Sequence, residues 1–263
     1  MAAHERLSPD CKSDAWLQAK LEQTDDRLRT RYGLRETAVG VLDLQRACVA
    51  MIRPDHCEYA ASIAKIGILL AYFAIHPEAA SALDPPIQNQ LGLMIKASSN
   101  EMAAKFSREL GLKNIQEVLN RRGFYNAKEG GGIWVGKHYG ESGERYGDPV
   151  GNHSHAATVR QLLRFFLLLE REQLVSPAAS QAMRRIFESP GIPHDPIKFV
   201  KGLEGRPLEI IRKWGSWEDW LHDAAVVRGP ERHYILVGLT HHPRGDEYLV
   251  DLAGAVDDFL SAA

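Results

Sequence analysis

The stretch Ala60-Ala61-Ser62-Ile63-Ala64-Lys65-Ile66-Gly67-Ile68-Leu69-Leu70-Ala71-Tyr72-Phe73-Ala74-Ile75 is almost wholly apolar, interrupted by Ser62 and Lys65. Residues three apart share one face of a helix, so the hydroxyl and the amine can meet. Such a run suits a helix buried in the middle of a domain, and its longest apolar stretch, around Ile66 to Ile75, is far too short to span a bilayer. Serine is a weak nucleophile until a base takes its proton. A lysine desolvated among isoleucine, alanine and leucine has its pKa lowered and can be that base. Read alone, the same four residues also make an ordinary helix start, with Ser62 near the N-cap and Lys65 reaching solvent.

Upstream, Ala15–Tyr32 carries apolar residues at helical spacing, with Gly33 as the stop. Residues 37–44 (TAVGVLDL) and 47–52 (ACVAMI) predict two strands joined by a tight Gln45-Arg46 turn, and a Pro54-Asp55 turn leads on toward Ser62. Downstream, from 86 to 188, the strand signal nearly vanishes. Helical patterns recur at 87–97, 101–110, 115–122, 158–172 and 177–187, around a glycine-rich loop at 130–151. Strands return at 208–213, 224–228 and 234–240, and a helix closes the chain over about 246–260. This order predicts an α+β fold in which early and late strands pair in one antiparallel sheet, flanked by the terminal helices. An all-helical lobe is inserted between them. Residues 1–62 and 200–263 would form the sheet subdomain and 63–199 the helical one, as a single catalytic unit with a cleft between the lobes.

Two further motifs fall where that cleft would be. Ser98-Ser99-Asn100 joins two predicted helices, and taken alone is a plain helix cap. Lys213-Trp214-Gly215-Ser216 ends a predicted strand, offering a cation and a glycine against which a ligand can lie close. In order and context the three motifs resemble the class A β-lactamase and penicillin-binding-protein superfamily. There a Ser-x-x-Lys helix start is followed by a Ser-x-Asn loop and a late Lys-(Thr/Ser)-Gly strand. The likeness spans nearly the whole chain, and Thr158-Val159-Arg160-Gln161-Leu162 resembles the start of the helix after that family's active-site loop.

The resemblance implies an active-site-serine hydrolase or acyltransferase working through an acyl-enzyme on a small amide, lactam, ester or peptide. Ser62 would attack the carbonyl and Lys65 would be the base or proton relay. Ser98 would pass a proton to the leaving nitrogen, Asn100 would hold Lys65 and the substrate amide, and Lys213 would supply positive potential. The N–H groups of Ser62 and Ser216 would form the oxyanion hole, with Gly215 letting substrate lie against the strand. Trp214 departs from the family pattern, standing where a hydroxyl usually grips a β-lactam carboxylate. Ser99 replaces a common aspartate. The deacylating glutamate has no matching Glu-x-x-x-Asn pattern. Glu144 or Glu141 could activate a water, and either could equally be a solvated loop acid. The reading from another class is a non-catalytic penicillin-binding-like sensor or binding domain that kept the motifs.

The bulk properties agree with an ordinary globular protein: 263 residues, 44% hydrophobic and 25% charged. Lys plus Arg (32) nearly balances Asp plus Glu (34), which argues against nucleic acid or a membrane as partner and leaves a small molecule or peptide. Three cysteines, Cys11, Cys48 and Cys57, make no disulfide framework, though Cys48 and Cys57 could pair in an oxidising compartment. The first ten residues show no signal-peptide pattern, so the chain reads as soluble, either cytoplasmic or exported with its signal removed. Gly131 to His138 nearly spells a phosphate-binding loop, but it lacks the Ser/Thr for magnesium and follows no strand. His153-Ser154-His155 and His241-His242 lack a matching carboxylate pattern for a metal. No cofactor or metal is expected.

Overall fold

A computed structural model describes residues 7 and 10–262, so the expectation for the extreme N-terminus lies largely outside the described residues. The chain opens with β1 (Lys12–Ser13), α1 (Ala15–Tyr32) and the strands β2 (Thr37–Asp43), β3 (Cys48–Ile52) and β4 (Glu58–Tyr59). A 3₁₀ turn, Ala61–Ala64, precedes α2 (Lys65–Ile75). The helical block follows as α3 (Pro85–Ile95), α4 (Asn100–Leu110) and α5 (Leu112–Arg121). Short strands β5 (Tyr125–Asn126), β6 (Gly131–Gly132), β7 (Trp134–Val135) and β8 (His155–Ala157) come next, then α6 (Val159–Glu170), α7 (Pro177–Glu188) and α8 (Lys198–Gly202). The chain ends with β9 (Glu209–Trp217), β10 (Trp220–Gly229), β11 (Arg232–His241) and α9 (Gly245–Ser261).

Early and late strands do share one sheet, in the order β1-β3-β2-β11-β10-β9. All its pairs are antiparallel except the two-residue parallel contact of β1 with β3 at the edge. Side chains alternate between faces along a strand, and here both faces are covered. Ala38 and Leu42 of β2 and Ile235, Val237 and Leu239 of β11 join the core shared with α2 and α6. Val39, Val41, Tyr234 and Leu236 point the other way, into a second core with α1, α8 and α9. Burial on two faces explains why β2 reads as a continuous apolar run. Gly40 is required where α6 crosses β2, because a Cβ there would lie 2.5 Å from Val159 Cγ1 and 2.7 Å from Leu163 Cδ1. Helix α1 begins with the Asp14 carboxylate accepting from Leu17 N at 2.7 Å and stops at Gly33 in the left-handed region, φ 76°.

Two expectations are corrected. The predicted helix over 60–75 is not α-helical from its start. Ala61 sits at φ 44°, and a 3₁₀ turn carries Ser62 before the α-helix begins at Lys65. The central block is also not purely helical. β4 and β7 flank β8 in a three-stranded sheet, and β5 pairs with β6. Strands of two or three residues are too short to show alternation in a sequence. The loop leading into β8 is tied down by Asp148, which accepts from Val150 N (3.0 Å), Gly151 N (3.0 Å), His153 N (2.6 Å) and the Tyr125 hydroxyl (3.0 Å). Burial alone would raise the Asp148 pKa, but these donors outweigh it and hold the carboxyl below its ordinary value. All three cysteines are free, so Cys48 and Cys57 are not bridged. Among the described residues, no helix is long and apolar enough to cross a membrane, and no cluster of His, Cys, Asp and Glu could hold a metal ion.

Candidate active site

A cleft of about 440 Å3 opens beside the 3₁₀ turn, lined by Ser62, Asn100, Tyr139, His155, Ser216 and Trp217 among others. Lys65 follows Ser62 at the start of α2 and is fully buried. Its Nζ donates to the Ser98 carbonyl (2.5 Å), to Asn100 Oδ1 (2.8 Å) and to Ser98 Oγ (3.3 Å). Ser98 reaches Lys65 with both its carbonyl and its hydroxyl, and its backbone is held at φ 55°. A non-glycine residue in that region is strained, and such strain gathers at functional sites. Ser99, next along, caps α4 by accepting from Met102 N at 3.2 Å.

Lys213 comes from β9 on the far side. Its Nζ donates to Ser98 Oγ at 2.9 Å and to the Trp214 carbonyl at 2.8 Å. Two lysines therefore meet at one serine hydroxyl. Burial, then the charge of Lys65, push the Lys213 pKa well below the lysine range. Burial alone pulls Lys65 down to about 7. At neutral pH a large share of Lys65 is thus the free amine, able to take a proton.

Strand β9 lies directly against the turn. A Cβ on Gly215 would stand 2.9 Å from the Ala60 carbonyl oxygen and 3.1 Å from the amide nitrogens of Ser62 and Ile63. Glycine allows that approach, which brings Ser216 into the cleft wall beside Ser62. The Ser216 hydroxyl is held by Lys198, whose Nζ donates to Ser216 Oγ at 2.5 Å and to the Gly215 carbonyl at 3.0 Å.

Trp214 does not line the cleft. Two buried lysine nitrogens approach its indole, Lys213 Nζ at 4.9 Å and Lys198 Nζ at 5.0 Å from the ring centroid. Glu144 is exposed, accepts a hydrogen bond from the Tyr146 hydroxyl and is not a lining residue of the cleft. Glu141 does line it, but its carboxylate is engaged by Arg108.

Of three residues that the sequence motifs do not include, Tyr139 and His155 line the cleft and Lys198 stands behind its wall, on Ser216. Tyr139 donates its hydroxyl to the Ala61 carbonyl at 2.9 Å and offers its ring to Lys65 Nζ at 4.7 Å. His155 stacks on Tyr139 at 4.1 Å with the planes 2° apart. Burial, reinforced by Lys65, lowers its pKa to about 3, so it is neutral. Lys198 is buried, at φ 52°. Tyr139 and His155 occupy an irregular loop and its exit strand, where spacing says nothing about direction. Lys198 stands in no pattern at all.

A serine on a tight turn, a buried amine, a serine hydroxyl shared by two lysines and a glycine-backed strand edge are features that serine acyl-transfer chemistry requires. The chain belongs to the β-lactamase enzyme family, whose sequence model matches residues 75–258. That match begins beyond Ser62 and Lys65. No curated protein matches the chain. Among solved structures, a β-lactamase from Sphaerobacter thermophilus superposes with TM-score 0.74 at 14% identity, covering 93% of this chain and 98% of that one. PBP-A gives 0.74 at 17% identity, covering 97% and 99%. A class A β-lactamase from Bacteroides cellulosilyticus gives 0.74 at 15% identity, covering 94% and 99%.

Proposed function

We propose that the protein forms a covalent acyl-enzyme on Ser62 with a small amide, ester, lactam or peptide, and releases the acyl group to water slowly. Lys65 takes the Ser62 proton as the hydroxyl attacks the carbonyl carbon. The oxyanion then draws on the N–H groups of Ser62 and Ser216. Ser98 hands a proton to the leaving nitrogen, replenished from the lysines that share its hydroxyl. The observation that carries this reading is the buried Lys65, whose hydrogen bonds all go to neutral oxygens of Ser98 and Asn100. With no carboxylate among its partners, burial favours the uncharged amine, which can take the proton.

Slow release follows from the acids. Glu144 stands outside the cleft lining and Glu141 is committed to Arg108, which leaves neither poised to activate water at Ser62. The Tyr139 ring lies against Lys65 instead. A similar structure, a PBP-A variant at 16% identity and TM-score 0.73, is described as an acyl-enzyme complex with penicillin G. This supports penicillin as the first reagent to try.

The protein and its Ser62→Ala variant should be treated in parallel with a fluorescent penicillin and a fluorophosphonate. Labelling of the parent alone is expected. Labelling by fluorophosphonate only would redirect the activity to esters or amides, and labelling by neither would overturn the reading in favour of a non-catalytic binding domain.

A further inference from the structure

A second cavity, about 810 Å3 and larger than the catalytic cleft, lies beyond the end of β10, lined by Arg35, Glu36, Arg53, Glu58, Trp220 and His241 among others. Strand alternation separates the two. In β4, Tyr59 lines the catalytic cleft while Glu58, its neighbour, lines the second cavity. Trp220 closes the partition, edge-on to Tyr59 at 6.0 Å and stacked flat on His241 at 3.7 Å.

Glu58 is 6% exposed, and among the described residues its Oε2 has no hydrogen-bond partner. Its Oε1 lies 3.6 Å from His56 Nε2, and His56 itself is largely exposed. Buried carboxylate oxygens are seldom left unpartnered, because a lost hydrogen bond there goes uncompensated. The other charges facing the cavity are not equivalent. Arg53 is already paired with Glu36 at 2.8 Å. Arg35 is exposed and makes no side-chain ion pair or hydrogen bond in the described structure. The cavity therefore presents an acid with one unpartnered oxygen and a base with no ion pair, beside an aromatic wall.

We propose that this cavity is a binding site for a small zwitterion of the amino-acid or short-peptide class. The ammonium group is received by Glu58, the carboxylate by Arg35, and an apolar side chain by the Trp220–His241 stack. Such a ligand supplies the hydrogen bond that Glu58 lacks and returns a counter-charge to Arg35, whereas a simple anion or cation satisfies only one of them. Burial raises Glu58 to about 7, with Arg53 opposing that shift and Glu36 adding to it. His56 and His242 also face the cavity. Docking of an ammonium draws the proton off Glu58, so binding strengthens as pH rises from 6 to 8.

The test is calorimetric titration of the full chain with L-phenylalanine, its amide (cation only) and its N-acetyl derivative (anion only). L-Phenylalanine is expected to bind saturably, and each capped form at least about ten-fold more weakly. Glu58→Gln should abolish the preference for phenylalanine over the acetylated form, and Arg35→Ala its preference over the amide. Binding should be unchanged in Ser62→Ala, which separates this site from the catalytic one. Arg35 is exposed, so its variant tests the site independently of any change that the buried Glu58 substitution makes to stability. No saturable binding, equal binding of all three probes, or loss of binding on acylation of Ser62 would each overturn the proposal.

Discussion

In the proposed mechanism Lys65 is the base because of where it is buried, and its protonation is the residue-scale quantity that experiment can follow. Its pKa of about 7 means that the rate of acylation by a penicillin should climb as pH rises through 7 and level off above it. Replacing the amine by an apolar chain in Lys65→Met should remove that dependence and slow acylation on the order of 10²–10⁴-fold. Stopped-flow or quench measurements between pH 5 and 9 would show it, and a flat parent profile would contradict the assignment. Glu58 makes the opposite case, a buried acid outside the chemistry. Its folded pKa of about 7 lies above the ordinary 4.5, so the folded state holds the proton more tightly than the unfolded chain. Stability is greatest below pH 4.5 and falls as pH rises through 7. Glu58→Gln should therefore raise the unfolding free energy above pH 7 by on the order of 2–3 kcal/mol and leave it unchanged at pH 4, as read by urea titration at both values.

At the scale of elements, two glycines set how closely secondary structures approach, and they predict different outcomes. Gly40→Ala places a Cβ 2.5 Å from Val159 Cγ1, inside a packed core, and should cost about 1–3 kcal/mol. Its effect should appear in the melting temperature, with acylation per folded molecule little changed. Gly215→Ala instead presses β9 against the Ser62 turn at the Ala60 carbonyl oxygen and two amide nitrogens. It should slow acylation well beyond any loss of stability. Equal effects of both variants on acylation would show that the strand edge does not position the nucleophile. These contacts also explain what pattern reading could see of the elements. The expected strands 208–213 and 224–228 are shorter than β9 and β10: polar Lys213 marks the end of the first, and Ser216, His222 and Asp223 lie in the stretches left out. Each of these polar groups has a partner: Lys213 on Ser98, Ser216 on Lys198, His222 on the Tyr59 carbonyl, and Asp223 on Arg212 in a buried pair. Polarity that ends a strand in a sequence can be stabilised within one by tertiary partners.

For the whole molecule, the two-faced sheet is the device that assembles the site. One face packs on α1, α8 and α9, and the other on the helical block. Ser62 and Lys65 thus stand where the core of the helical block meets the sheet edge that carries Lys213. Four residues singled out from sequence, Lys65, Ser98, Asn100 and Lys213, are joined there by hydrogen bonds, because motif order encodes which elements must meet. Ser62 lines the same cleft as Asn100, but no hydrogen bond links its hydroxyl to Lys65 in the described structure. Tyr139, His155 and Lys198 were not legible, since they are brought in by a loop, a three-residue strand and a short helix whose placement no local periodicity fixes. Glu144 was named from its position in the loop, and the fold turns it outward.

The central claim is that Ser62 is acylated and that no acid is placed to clear the adduct quickly. An intact-mass time course with benzylpenicillin, followed by removal of excess reagent and peptide mapping, tests it directly. One adduct per chain, on the peptide containing Ser62 and persisting for many minutes after removal, is the predicted result. Return to the unmodified mass within seconds, with hydrolysed penicillin accumulating, would contradict it, and so would an adduct on any residue other than Ser62 or none at all.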